Sequence, residues 1–572
     1  MRQLHLRLPL RCGRQPVSRS ALPGADDRGD TVVTFTRDFD ETSRGMDELK
    51  IVLFVCNWGP HAALQTLQDQ DRDIPHQVRM IRIPCTGRIS KTLLFKAFER
   101  GADGVALIGC TPGTCRYGAG TYTAERNVEG ARGILDLLGL GKDRLRLATF
   151  LPEEASPLLD FLNDFTDQVR GMGKSPVTPV PLKQPAHDGR RNTAEVLKAH
   201  DVYACQDCGK CSSACPMALS GRPYSPRAIA NSIIAGSGNT PAVVNDVWSC
   251  LTCGICYDRC PSAVDFPAFI REMRCVQKAS GKSGHEAHEG FFQSLMRAMT
   301  SPDLRTQHWK CLPEGIRTDQ QSKTLFFGGC APYFDEFFRR HLDVHTSDIL
   351  ADSLRLLNFF DVTPALLPGE RCCGHDLLWS GDRENFLRLA RLNVEAIEKM
   401  GIEEVVTACP ECYRSFARDY PENGVPVNFR VTHIFDLAEK EIDKGAVGFE
   451  ALDRSLTFQD PCRLSRMEGR ADLPRKLIDR LRVKGFREMQ DRGVSALCCG
   501  NCAWTGCDGY TKALQVKRLR QARATGSDLL VTACPKCQIH LRCAMEDPLL
   551  GKEIGMDLMD LTSVIARTIR WE

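Results

Sequence analysis

The chain has 572 residues, of which 42% are apolar and 26% charged, and its formal net charge is +3. This length allows three or four domains with separate cores, and the small net charge gives no argument for nucleic acid or an anionic membrane as partner. No apolar run is long enough to span a bilayer, so we expect a cytoplasmic protein, at most peripheral to a membrane complex.

The chain contains 28 cysteines. A secreted, disulfide-stapled protein is a poor explanation, because the N-terminus lacks the apolar segment and small-residue cleavage site of a signal peptide. The cysteines also occur in tight C-x2-C groups, which is the spacing of metal ligands. The sequence therefore predicts that the cysteines bind metal.

Residues 1–45 show no sustained hydrophobic period of a strand or a helix. We expect either a disordered tail or an upstream start codon that the cell does not use, with translation beginning at Met46. Cys12 has no partner nearby and is assigned no role.

Residues 46–174 are predicted to form an open parallel α/β domain. Two short apolar strands, 51–55 and 105–109, are each followed by a cysteine and alternate with predicted helices at 90–100 and 124–138. Ligands of such sheets bind beyond the carboxyl ends of the strands. Four cysteines are expected on loops at that edge: Cys56, Cys85, Cys110 and Cys115. Four thiolates suit a [2Fe–2S] cluster, and structural zinc is the alternative.

The segments around these cysteines resemble the delta subunit of methyl-viologen-reducing hydrogenase; they are residues 56–58, 85–88, 101–105 and 109–115. The resemblance implies an iron–sulfur domain that passes electrons from a hydrogenase or NADH-oxidising partner to heterodisulfide reductase. The family usually has a further cysteine three residues after the first, where this chain has Gly59. Four cysteines remain, enough for one cluster.

Residues 175–191 contain several prolines and are predicted to be an extended linker. After it, at 192–300, the motif C-x2-C-x2-C-x3-C-P occurs twice. This spacing is typical of two-[4Fe–4S] ferredoxins, in which the fourth cysteine of each motif ligates the other cubane. One cubane is assigned to Cys205, Cys208, Cys211 and Cys260. The other is assigned to Cys250, Cys253, Cys256 and Cys215.

The stretches 225–235 and 266–280 are predicted helices of this second domain. Such a helical ferredoxin resembles the C subunit of heterodisulfide reductase and the iron–sulfur subunit of succinate dehydrogenase. Cys275, on the second helix, is interpreted as a buried apolar thiol and not as a ligand.

The rest of the chain is predicted to be an internal duplication, with repeats at 324–445 and 450–572. Each repeat has a strand followed by Cys, then Cys-Cys-Gly, then a strand followed by Cys-Pro-x-Cys. Two such α/β units should pack about a pseudo-two-fold axis and bring their cysteine sites together. The first set is Cys330, Cys372, Cys373, Cys409 and Cys412. The second set is Cys462, Cys498, Cys499, Cys534 and Cys537.

This order resembles the CCG family, which includes the B and D subunits of heterodisulfide reductase and iron–sulfur subunits of glycolate and lactate oxidation systems. The resemblance implies that each set holds a noncubane [4Fe–4S] cluster and that these ten cysteines are catalytic. Zinc at one of the two sites is the alternative. Relatives often have His directly after the first cysteine of the second repeat, where this chain has Arg463.

Three further residues near these motifs are left with open roles. His375 could donate a proton, and an ordinary structural histidine is the alternative. Cys502 and Cys507 are interpreted as unligated buried thiols, with a spare redox thiol pair as the alternative.

No glycine-rich dinucleotide motif follows a predicted strand, so the upstream two-electron chemistry is assigned to a partner. The expected partner is a flavoprotein, similar to the A subunit of heterodisulfide reductase or to an FAD-linked dehydrogenase, or a hydrogenase. Electrons would pass from the [2Fe–2S] cluster through the cubanes to a CCG site that reduces a small disulfide. The alternative is a relay protein without its own substrate, which passes electrons to an acceptor protein or a quinone pool.

Overall fold

The computed structural model describes residues 48–180, 192–310, 312–445 and 447–571. The predicted tail at 1–45, with Cys12, and most of the predicted linker at 175–191 lie outside the described residues.

The first domain is built on one parallel sheet. Its strands are β1 (Ile51–Cys56), β2 (Val78–Ile83), β3 (Gly104–Gly109) and β4 (Leu145–Thr149). They lie in the order β2-β1-β3-β4. The helices are α1 (Gly59–Asp69), α2 (Lys91–Glu99), α3 (Gly120–Leu137) and α4 (Ala155–Met172). The predicted parallel α/β sheet is confirmed.

Strand β1 is buried on both faces because alternate side chains point to opposite sides of a sheet. Val52 and Phe54 share a core with α2 and α3. Leu53 and Val55 share a separate core with α1 and α4. The continuous apolar run of this strand therefore follows from its central position between two helical layers.

The second region is helical. It contains α5 (Thr193–Ala199), α6 (Lys210–Ala214), α7 (Pro216–Leu219), α8 (Pro226–Ile234), α9 (Pro241–Ser249), α10 (Ile255–Asp258), α11 (Phe266–Ala279) and α12 (Phe291–Ala298). Side-chain caps start α5, α8 and α11: Asn192 accepts a hydrogen bond from Glu195 N–H, Ser225 accepts one from Ala228 N–H, and Asp265 accepts one from Ala268 N–H. Helices α8 and α11 lie where the sequence predicts them.

The third region contains a second parallel sheet. Its strands are β5 (Thr324–Phe327), β6 (Ala365–Leu366), β7 (Glu404–Thr407) and β8 (Arg430–His433). They lie in the order β6-β5-β7-β8. The helices are α13 (Ala331–Phe338), α14 (Thr346–Phe359), α15 (His375–Trp379), α16 (Arg383–Lys399), α17 (Pro410–Arg414), α18 (Tyr420–Glu422) and α19 (Ile434–Asp443).

The last region repeats this topology. Its strands are β9 (Ala451–Gln459), β10 (Arg482–Phe486), β11 (Leu529–Thr532) and β12 (Asp557–Asp560). They lie in the order β10-β9-β11-β12, which matches the order of the preceding sheet. The helices are α20 (Leu473–Arg480), α21 (Gly509–Ala524), α22 (Pro535–Met545), α23 (Gly551–Ile554) and α24 (Leu561–Thr568).

Helix α12 joins the first domain to the two repeats. The ring of Phe291 lies 4.5 Å from that of Phe337 on α13, and the ring of Phe292 lies 4.2 Å from that of Trp504 in the second repeat. On the other side, Phe291 packs against Phe95 on α2. These aromatic contacts make the first domain and the repeats parts of one continuous core.

Within the described ranges, no helix is both long and apolar enough to cross a membrane.

The structure predicts a pH dependence of stability at His433. This imidazole is buried and caps the start of α19, where Nδ1 accepts a hydrogen bond from Phe435 N–H at 3.3 Å. Burial lowers the pKa of His433 from 6.5 to about 4. The unfolded chain therefore takes up the proton first as the pH falls below 6.5. Between about pH 7.5 and pH 5 this group should cost about 2 kcal/mol of stability.

The measurement is the unfolding midpoint against pH for wild type and His433→Asn, which keeps a capping side chain but does not titrate. We expect the unfolding midpoint of the variant to fall less at low pH than that of wild type, whatever the stability of the variant at neutral pH. His345→Asn is the control, because the His345 side chain is 70% exposed. Identical pH profiles for wild type and His433→Asn would contradict the prediction.

Candidate functional site

The four cysteines of the first domain converge at the carboxyl ends of its strands. Cys56 ends β1 and its Sγ lies 3.6 Å from that of Cys110, which follows β3. Cys85 follows β2 and its Sγ lies 3.9 Å from that of Cys115, in the loop before α3. A side chain at Gly120 would lie 2.5 Å from the Cys85 sulfur, so a glycine is required there.

These thiols suit a metal cluster. Burial raises the pKa of Cys56 to about 12 and also raises that of Cys85. Without a cation the thiols of Cys56 and Cys85 hold their protons, and a bound metal would displace them. At Cys115 burial raises the pKa, but backbone hydrogen bonds outweigh it and lower the pKa. All four are free thiols. At the rim of the site, the Arg116 guanidinium lies 4.0 Å above the Trp58 ring.

In the helical region the structure brings one predicted ligand set together inside the protein. A small cavity is lined by Cys215, Cys250, Cys253 and Cys256. Cys215 comes from the first motif and the other three from the second, as the exchange of the fourth cysteine requires. Burial raises the pKa of each of these thiols.

The other predicted set lies nearer the surface. Cys205, Cys211 and Cys260 are partly exposed, and Cys208 is exposed. Cys211 interacts electrostatically with Cys205. This half of the ferredoxin region therefore faces solvent, whereas the Cys250 half faces the protein interior.

The cysteines of each repeat form a continuous chain of thiol contacts. In the first repeat the order is Cys330, Cys372, Cys373, Cys412 and Cys409. In the second repeat the order is Cys462, Cys498, Cys499, Cys537 and Cys534. Equivalent positions make equivalent contacts, so both repeats present the same five-thiol arrangement.

The thiol chemistry of these two sites also suits metal. Hydrogen bonding to a neighbouring thiol, together with burial, raises the pKa of Cys372, Cys412, Cys462 and Cys537 well above the usual value. These four thiols hold protons that a bound cation would release. Cys499 differs, because hydrogen bonds with Cys498 and Cys537 lower its pKa to about 6. In the second site, His540 Nδ1 also lies 3.3 Å from the Cys499 sulfur.

A buried ion cluster joins the two repeats. Lys536 Nζ lies 2.5 Å from Asp376 Oδ1 and 2.5 Å from Glu411 Oε2. Burial opposes the charge on Asp376 and on Lys536, but Lys536 lowers the pKa of Asp376, and the two carboxylates raise the pKa of Lys536. The oxygens of Asp376 and Glu411 and a ring nitrogen of His375 are spaced as cation ligands, and the ammonium of Lys536 lies against these carboxylates.

Sequence reasoning missed this ion cluster. Glu411 and Lys536 are the variable residues of the two Cys-Pro-x-Cys motifs, so they occupy equivalent positions and pair with each other. The opposite charges of Glu411 and Lys536 at this position were the sequence signal that could have predicted the pairing.

Arg463, the residue that departs from the usual histidine, is buried at the same interface. Its guanidinium lies 4.2 Å above the Trp379 ring, and Nε donates to His375 Nε2 at 3.1 Å. Because arginine only donates, His375 carries its proton on Nδ1, 2.9 Å from Asp376 Oδ1. His375 is thus hydrogen-bonded through both nitrogens, and Arg463 sets its tautomer.

The extra cysteines differ in their surroundings. Cys502 is buried, 3.2 Å from Arg463 Nη2 and 2.8 Å from Thr252 Oγ1. Cys507 is exposed, so the interpretation of both as buried thiols is wrong for Cys507. Cys275 on α11, predicted to be a buried thiol, is half-buried, and burial raises its pKa to about 12.

Comparison with known proteins gives three family matches. Residues 51–173 match the methyl-viologen-reducing hydrogenase, delta subunit. Residues 200–264 match the 4Fe–4S dicluster domain, and residues 325–417 and 456–542 match the cysteine-rich CCG domain. The D iron–sulfur subunit of an F420-non-reducing hydrogenase of Methanococcus voltae is 38% identical over 22% of this chain and 88% of its own length. The chain belongs to the hydrogenase delta subunit family through its first domain.

The remainder of this delta subunit fusion is similar to subunits of methanogen oxidoreductases. The D subunit of the dihydromethanophenazine:CoB–CoM heterodisulfide reductase of Methanosarcina mazei is 25% identical over 52% of this chain and 71% of its own length. The B subunit of the CoM/CoB fumarate reductase of Methanothermobacter marburgensis is 25% identical over 63% of this chain and 60% of its own length. The chain spans about half of the iron–sulfur proteins of Methanococcus maripaludis and Methanocaldococcus jannaschii that it matches, 49% and 47% of their lengths.

Removal of the buried ammonium of Lys536 should strongly destabilise the protein. Lys536→Met leaves the buried carboxylate of Asp376 and the partly buried carboxylate of Glu411 without their cation. This loss should cost about 3–5 kcal/mol. The control is Lys476→Met, because Lys476 pairs with Glu439 at the surface and its side chain is 65% exposed. That change should leave the free energy of unfolding almost unchanged, because exposed ion pairs are screened by solvent.

The measurement is denaturant unfolding of both variants, purified without oxygen. Adding Glu411→Gln to Lys536→Met removes one unpaired charge and should recover part of the loss. Equal costs for Lys536→Met and Lys476→Met would show that the ion cluster does not hold the repeats together.

Proposed function

We propose that this chain is an iron–sulfur electron-transfer subunit of a heterodisulfide-reductase-like oxidoreductase. It would take electrons from a flavoprotein or hydrogenase partner at the first domain and pass them through the ferredoxin region to the CCG sites, which would reduce a small disulfide. The observation that carries this proposal is the pair of complete five-thiol chains on either side of the buried Glu411–Lys536 pair.

The chain's own residues have defined tasks in this proposal. When bound, iron–sulfur clusters supply one-electron carriers at the cysteine sites. Reduction of one disulfide to two thiols consumes two electrons and two protons. Between the sites, Lys536 holds protons on Nζ and His375 holds one on Nδ1, and both contact Asp376. The Arg463 guanidinium keeps that histidine tautomer in place.

A relay protein without its own substrate is the second candidate. Four buried side chains occupy the interface between the two five-thiol chains: His375, Asp376, Arg463 and Lys536. They contact one another closely, which favours electron exchange across the interface over binding of a substrate within it. The acceptor would then be another protein or a quinone pool.

Metal content separates these proposals, and it should be measured on protein purified without oxygen. One [2Fe–2S] and four four-iron clusters predict about 18 iron atoms per chain and no zinc. About 14 iron atoms with one zinc would mean that one CCG site is structural, and would favour the relay function.

The second measurement is reduction of small disulfides, including coenzyme M–coenzyme B, with reduced viologen as donor. Turnover by fully loaded protein would support the reductase. Without turnover, cluster reduction by the substrate of a co-purifying flavoprotein would support the relay.

A further inference from the structure

The two CCG sites have different neighbours. The buried cysteines of the Cys250 cavity share one hydrophobic core with the cysteines of the second repeat. The cysteines of the first repeat instead share a core with the first domain and α12. Although the repeats have the same topology, within the described residues only the second places its five thiols against the ferredoxin region.

Arg466 connects the Cys250 cavity with the second CCG site. It follows Cys462 by one helical turn, and its Nε donates to the carbonyl oxygen of Cys253 at 2.8 Å. Its guanidinium interacts electrostatically with the thiols of Cys253, Cys462 and Cys498. One cation therefore contacts ligand candidates of both sites.

Arg463 lies one helical turn before Arg466 and binds the same loop. It donates to the carbonyl oxygen of Thr252 at 2.6 Å and to Thr252 Oγ1 at 3.0 Å. Thr252 lies between Cys250 and Cys253 and has a φ of 44°, a strained value for a β-branched residue. The two arginines thus hold the ferredoxin loop in one conformation against Cys462.

In the described part of the chain, no cation of the first repeat interacts with thiols of both sites. Arg274 joins the two regions only through backbone, since it donates to the carbonyl oxygens of Cys250 at 2.6 Å and Trp379 at 2.7 Å. The residue after Cys330 is Ala331, which starts α13, and the side chains of Phe334 and Phe337 on this helix pack toward α12 and the first domain. Beside the first site, Arg371 donates to the carbonyl oxygens of Met299 and Ser301, and Cys372 N–H donates to Met299 Sδ. Residues 287–304, which cover this site, contain no cysteine.

We infer that electrons enter the duplicated domain through its second CCG site and reach the first CCG site only from there, and that Arg466 is the positioning residue for this transfer. The inference rests on the proposed function, since it assumes iron–sulfur clusters at these cysteines. It adds an order of reduction and a role for a residue outside the ligand sets.

Each transfer moves one electron from the Cys250 cubane site, which is oxidised, to the second CCG site, which is reduced. When the second CCG site has passed one electron to the first site and accepted another, each site holds one electron. With two protons, these two electrons convert one disulfide to two thiols. The reductant upstream is the flavoprotein or hydrogenase partner.

The first test uses matched variants of the full chain that remove the central thiol pair of either repeat. The rate at which reduced viologen reduces each site is measured by rapid-freeze EPR. In Cys372→Ala/Cys373→Ala, the remaining second site should be reduced at the wild-type rate. In Cys498→Ala/Cys499→Ala, the remaining first site should be reduced at least tenfold more slowly. Reduction of the first site at the wild-type rate in that variant would overturn the order.

The second test is a redox titration of Arg466→Gln, which keeps every cysteine of the ligand sets. A nearby cation stabilises the more negative, reduced state, so its loss should lower the potentials of the Cys250 cubane and the second CCG site. A tenfold change in the reduction equilibrium corresponds to about 59 mV for one electron. Arg466→Lys keeps the charge and should restore most of the shift.

Arg470→Gln is the control, because Arg470 lies on the same segment but pairs with Asp436 and Tyr413. Unchanged potentials in Arg466→Gln would overturn the role of Arg466. Iron content distinguishes the two levels of failure. Low iron or bound zinc would contradict the proposed function, whereas full iron loading with unchanged rates and potentials would contradict only this inference.

Discussion

The arrangement of the C-terminal half depends on one buried ammonium, Lys536 Nζ, between the carboxylates of Asp376 and Glu411. Taking three charges out of water is costly, and the cost is offset only when each charge is closely paired. The pairing can form only when the two repeats are docked in one relative position. That position places the two five-thiol chains on either side of the same ion cluster.

Duplication explains why such a cluster could arise. Glu411 and Lys536 occupy the same position in the two repeats, and a pseudo-two-fold arrangement brings equivalent positions together. In an unmodified duplicate, like charges would meet and repel. With opposite charges at this position, the two repeats are joined by an ion pair. Divergence after the first cysteine, to Ala331 and Arg463, gives the halves different neighbours.

The first domain follows a simpler rule. The carboxyl ends of parallel strands lie at one edge of a sheet. Cysteines that follow neighbouring strands are therefore brought together by the strand direction alone. The edge near Cys115 is partly exposed, while α2 and α3 on one face of the sheet pack against α12 and α13. Its thiol site is therefore separated from the face that contacts the repeats. This separation suits a domain that meets a partner at one end and the rest of the chain along its side.

Much of this protein could be predicted from its sequence. Short-range chemistry determined the parallel strands that end in Cys56 and Cys110, the helices α8 and α11, and the repeated motif order, because periodicity and ligand spacing are local properties. The tertiary structure alone decided that Lys536 and Arg463 meet Asp376 and His375 across the repeats, and that Cys507 is exposed. Those outcomes depend on contacts between distant segments, where burial and pairing of charges outweigh any local preference.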